Sequence, residues 1–123
     1  MSNTLACCPV ARNVGRSLKR IPGQAAISFL EKTPQGTWAI KRFDTQPLVI
    51  TTIGEALAGS EDVAWTRNGL MLMSNGTSIQ FRRPGGKKGW QPVKMRSEAQ
   101  PLNHATRLAV NPANDRLAVV VDE

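Results

Sequence analysis

A hairpin recurs along this chain at a fixed interval, and that interval limits the folds open to it. In the stretch from Asp62 to Met73, Val63 and Trp65 alternate with small or polar neighbours. Asn68-Gly69 offers the positive backbone angles of a tight turn, and Leu70 to Met73 has the length of a buried strand. The same arrangement lies over Leu18 to Gly23 leading into Ala26 to Phe29, and over Leu108 to Asn114 leading into Leu117 to Val120. Pro22, Arg67 and Pro112 stand 45 residues apart, as do Leu18, Val63 and Leu108, and Ile27, Leu72 and Leu117. A repeat of roughly 40 to 50 residues made of strands and turns marks a four-stranded unit that cannot bury its faces alone. The expected fold is all-β, built of consecutive antiparallel four-stranded units.

Residues 1–14 read as an N-terminal tail or the remnant of a strand, followed by repeats over about 15–59, 60–104 and 105–123. In the first repeat a polar turn over Glu31 to Gly36 precedes a strand from Trp38 to Phe43. There Trp38, Ile40 and Arg42 share one face and Ala39, Lys41 and Phe43 the other, so both sides can be covered. Leu48 to Ile53 is a β-branched run suited to an outermost strand. Glu55 to Ala58 allows at most a single helical turn, too short to stand as a helix. The second repeat continues through a strand over Ser78 to Arg82, a loop over Arg83 to Gly89 and an outer strand over Trp90 to Met95. Pro92 is tolerable there because an edge position need not donate on both sides. The third repeat contributes only a hairpin, Thr106 to Val121, giving about two and a half units.

The hairpins carry Trp65-Thr66-Arg67-Asn68-Gly69 and Val110-Asn111-Pro112-Ala113-Asn114, an aromatic or apolar residue followed by a turn of the Pro-Asp-Gly type. In this they resemble the repeats of TolB-like six-bladed β-propellers, over roughly residues 13–123, with Arg67 standing where that family usually has the turn proline. The resemblance implies consecutive blades of an incomplete propeller ring, similar in plan to WD40-like repeats. It also implies a non-enzymatic scaffold whose loops contact a protein or small ligand, the identity of which the sequence leaves open. Two alternatives stand beside it. One is the propeller portion of a prolyl-oligopeptidase-like serine peptidase lacking its catalytic domain, and the other is a basic module that binds nucleic acid or another polyanion.

Six blades at this period need about 270 residues, and the chain has 123, which reads as a truncated member of such a family. No apolar run approaches the roughly 18 residues that span a bilayer. The first dozen residues lack the basic start and apolar centre of a secretory signal, so the expected location is the cytoplasm, although a longer parent could be exported to the periplasm. The unpaired strand edge expected at Leu117 to Val121 points to self-association.

Catalytic chemistry finds little footing. The only histidine, His104, has no serine in a Gly-x-Ser-x-Gly turn to pair with and reads as a loop residue. Glu61-Asp62 and Asp122-Glu123 are sequence neighbours, which on strands point to opposite faces. Adjacent Cys7 and Cys8 lack further ligands for a metal and read as free thiols. Gly85-Gly86-Lys87-Lys88-Gly89 lacks the Gly-Lys-Ser/Thr ending of a phosphate loop and reads as a flexible hairpin tip. No catalytic, cofactor or metal residue is therefore expected. The balance of 16 Lys and Arg against 9 Asp and Glu gives +7. It could serve phosphate binding through Arg12, Arg16, Lys19, Arg20, Lys41, Arg42, Arg82, Arg83, Lys87, Lys88 and Lys94. These cations are scattered over edges and turns, where they also block edge-to-edge aggregation, so nucleic acid is not the expected partner. Trp38, Trp65 and Trp90 are expected to wedge between sheets.

Overall fold

The structure, a computed structural model, describes residues 11–15, 17–94 and 104–121. The expectations for Cys7, Cys8, Arg16, Met95, Asp122 and Glu123 lie outside the described residues. Among the described residues ten strands form three sheets, and every pairing is antiparallel. Sheet I joins β1 (Lys19–Arg20), β2 (Ala26–Lys32), β3 (Trp38–Thr45) and β4 (Leu48–Glu55) in chain order. Sheet II joins β5 (Ala64–Trp65), β6 (Met71–Ser74), β7 (Ile79–Arg82) and β8 (Gln91–Pro92) in the same way. Sheet III pairs β9 (Ala105–Val110) with β10 (Leu117–Val121). The all-β expectation holds, with no helix among the described residues, and Leu48 to Ile53 lies in the outermost strand of sheet I. Among the described residues the sheets do not close a ring. Asn13 to Gly15 run beside β2, with Val14 bridging Glu31 and Gly15 N–H donating to the Leu30 carbonyl at 2.8 Å.

Two sequence expectations about the central hairpin need correction. In its turn only Gly69 takes the left-handed region, at φ 89°, while Asn68 does not. Gly69 N–H donates to the Thr66 carbonyl, and Thr66 N–H to the Leu70 carbonyl, so the loop holds three residues. A type I turn closed by one left-handed residue has this form, and glycine fills that position without a Cβ clash. The loops of sheets I and III hold four residues, closed by Ile21 N–H to Ala26 and Asn111 N–H to Arg116. The missing residue shifts the register. Leu72 pairs with Ala64, whereas Ile27 pairs with Arg20 and Leu117 with Val110. One residue of slip turns every side chain to the other face. Ile27 and Leu117 are therefore equivalent, and Leu72 points the opposite way.

With that slip included, each sheet has a consistent front and back. Ala26, Leu30 and Ile40 on the back of sheet I pack against Val63, Trp65, Met71 and Met73 on the front of sheet II. Ala64, Leu72 and Ile79 on the back of sheet II pack with Leu108, and with the half-buried Val110, Leu117 and Val119 on the front of sheet III. Sheet II is thus covered on both faces, which accounts for the run of buried residues from Met71 to Ser74. Leu30, Ile40, Val63, Met71 and Met73 are fully enclosed, and burying a side chain of this size contributes about 1.5–3 kcal/mol.

Candidate functional site

The leading strands β5 and β9 lie side by side, and Ser17 just ahead of β1 reaches Val63 just ahead of β5, so equivalent positions of successive repeats meet there. Two hydrogen bonds repeat at the same spacing. Ser17, buried just ahead of β1, accepts from Val63 N–H through its hydroxyl oxygen at 3.2 Å. Asp62, in the same position ahead of β5, accepts from Leu108 N–H through Oδ2 at 2.8 Å. Each is an acceptor side chain clasping a backbone donor 46 residues later. Lys19 reinforces the second clasp, its Nζ lying 3.7 Å from Asp62 Oδ1 and 3.4 Å from the Leu108 carbonyl it donates to. The buried carboxylate is thereby paired with both a cation and a donor, as its removal from water requires.

A cleft of about 640 Å3 opens at this end of the leading strands. Ser60 to Asp62 form one wall and Ala105 to Leu108, their equivalents one repeat later, form the other; Gly36, Trp38, Gly59 and Ser74 complete it. Most of its polar groups are already engaged. Ser60 donates to the Asp62 carbonyl, Ser74 Oγ accepts from Gly76 N–H, and Thr106 donates to the Val120 carbonyl. Two charged groups remain with capacity. Glu61 is exposed, and Arg107 uses Nη1 on the Thr106 carbonyl while its guanidinium has further donors. A carboxylate on one wall and a guanidinium on the other suit a polar ligand carrying both signs of charge. No side chain here has a base beside a nucleophile, and among the described residues no three His, Cys, Asp or Glu gather as metal ligands.

The residues singled out in the sequence fall in separate places. His104 is exposed at φ 52°, immediately before β9, with its Cα near the position a Cβ on Gly76 would take. Glu61 and Asp62 do diverge, one to solvent and one inward, but Asp62 serves as a clasp. Trp65 is wedged between sheets I and II and donates from Nε1 to Ser28 Oγ at 2.7 Å. Trp38 and Trp90 pack on the same core half-buried, and Trp90 donates to the Glu55 carbonyl at 3.0 Å. Of the cations, Lys41 faces Glu31 at 3.9 Å, and Arg42 grips Asp44 at 2.7 Å. That hydrogen bond holds the Asp44 carboxyl below its ordinary range and raises Arg42. Arg82 lies against Gly54, with its buried Nε lacking a partner among the described residues. Arg83, Lys87 and Lys88 are exposed on the loop between β7 and β8. The cations are thus divided among several local environments.

Ser17 and the clasp role of Asp62 escaped sequence reasoning. The available signal was an acceptor residue immediately ahead of Leu18 and of Val63, in a column already in register. Among the described residues, no helix is long and apolar enough to cross a membrane. No protein-family model matches the chain, and no significant match to it is found among curated proteins or solved structures.

Proposed function

We propose that this chain is a non-enzymatic binding scaffold, made of successive blades of a TolB-like β-propeller, that takes a protein segment or small polar ligand in the cleft between Glu61 and Arg107. The observation that carries the reading is the register of the leading strands. Equivalent positions of two repeats, 60–62 and 105–107, face each other across one opening. Rigid sheets that present loops at a shared mouth are a common basis for recognition. The peptidase-linked alternative has no observation of its own in its favour. The polyanion reading has less support, because Lys19, Lys41 and Arg42 face carboxylates within the chain.

The test is a titration of 15N-labelled protein with free amino acids and short zwitterionic peptides. Saturable shifts are expected at the amides of Glu61, Thr106 and Arg107. The double variant Glu61→Ala with Arg107→Ala should weaken binding by about tenfold or more, the loss of two charge-assisted contacts. Shifts that ignore the cleft would overturn the assignment. Binding to arbitrary duplex DNA, falling steeply with salt and centred on Arg83 to Lys88, would favour the polyanion reading instead.

A further inference from the structure

We infer that a second site lies at the turn end of the leading strands, a groove that takes an extended acidic segment of a partner protein. Its lining shares only Leu108 with that of the cleft between Glu61 and Arg107, and it does not depend on what binds there.

Two adjoining hollows make up the groove. One, of about 420 Å3, lies between Pro22, Trp65, Arg67, Val110 and Pro112. The other, of about 230 Å3, shares Pro22, Trp65 and Val110 with it and reaches Lys19, Arg20 and Ala109. The column Pro22, Arg67 and Pro112, 45 residues apart in sequence, thus comes together around one opening.

Backbone geometry leaves free peptide groups here. Ile21 with Ala26, Thr66 with Leu70 and Asn111 with Arg116 are bonded pairs that close the three hairpins. In an antiparallel ladder bonded and non-bonded pairs alternate, and residues of a non-bonded pair turn their N–H and C=O away from the partner strand. Arg20, Trp65 and Val110 stand one position earlier, opposite Ile27, Met71 and Leu117, and so fall in the non-bonded class. Val63 and Leu108, two positions ahead of Trp65 and Val110, show the same outward direction, because their N–H groups donate to Ser17 and Asp62. Each leading strand has one ladder partner, so these peptide groups lie along strand edges, and no backbone partner for them is found among the described residues. Edge peptide groups of this kind can hydrogen-bond an added extended chain.

Charge selects the occupant. Lys19, Arg20 and Arg67 line the groove, and no Asp or Glu does. Lys19 is committed to Asp62, whereas Arg20 and Arg67 are exposed and have no carboxylate within ion-pair distance among the described residues. Trp65, Val110 and the two prolines offer apolar surface between these cations. The combination suits a segment in which carboxylates alternate with apolar side chains, the two-residue period of an extended chain.

The test is a titration of the 15N-labelled, full 123-residue chain with an end-capped peptide alternating aspartate and leucine. The amides of Arg20, Trp65, Arg67 and Val110 are expected to shift saturably, and those of Glu61 and Thr106 to stay in place. A peptide alternating lysine and leucine should bind about tenfold more weakly or less still. Arg67→Glu should weaken binding of the acidic peptide by about tenfold or more, and Arg67→Lys by less than about threefold, since it keeps the charge. Arg67 is exposed on a turn, and a nuclear Overhauser contact between Trp65 Nε1–H and the Ser28 side chain checks that each variant keeps the parent packing. Full affinity in folded Arg67→Glu, equal binding of the basic peptide, or shifts confined to Glu61, Thr106 and Arg107 would each overturn the groove. Equal affinity for free aspartate would overturn it as well, since one carboxylate would then suffice. None of these results bears on the cleft, which is read separately from zwitterionic ligands at Glu61 and Arg107.

Discussion

Asp62 shows how a residue with no chemical partner in sequence can hold two sheets in register. Its side chain is 4% exposed and accepts from a backbone N–H of the next repeat. A carboxylate withdrawn from water this far persists only where donors replace the lost hydration. Asp62→Ala removes the acceptor, leaves Leu108 N–H unmet and strands Lys19 beside the gap. The expected loss is about 2–4 kcal/mol of unfolding free energy in urea denaturation. Ser17→Ala, which removes a neutral acceptor from the equivalent bond, should cost about 1 kcal/mol. Equal losses at the two sites would mean that the carboxylate charge and Lys19 contribute nothing beyond the hydrogen bond. The sequence foretold that Glu61 and Asp62 would diverge, because that follows from local alternation. It could not reveal the clasp, because the donor lies 46 residues away and is brought near only when sheets II and III stack.

At the level of elements, hairpins were legible and their facing was not. Strand positions follow from short apolar runs between turn residues, and β2, β3, β4, β9 and β10 fall close to where those runs lie. The outer strand of sheet II, expected over Trp90 to Met95, is limited among the described residues to Gln91 and Pro92, with Val93 N–H still donating to the Ile79 carbonyl just beyond it. Facing depends on loop length, and one residue decides it. Ile27 and Leu72 share a column in sequence, yet Ile27, 36% exposed, lies on the front of sheet I while Leu72, 8% exposed, is in the core between sheets II and III. Leu72→Ala should therefore cost about 2–4 kcal/mol, and Ile27→Ala well under about 1.5 kcal/mol. Chemical denaturation of the two variants checks this directly. A similar cost at both positions would restore the simple 45-residue register and remove the slip.

For the whole molecule, the stack advances by a fixed pair of contacts: an apolar core between sheet faces and an acceptor that clasps the next leading strand. Ser17 and Asp62 supply that acceptor at the first two junctions. The third position in the column is Arg107, whose guanidinium has donors and no acceptor. The clasp is therefore built at the two junctions within the described residues, and the third position of the column has a cation in place of an acceptor.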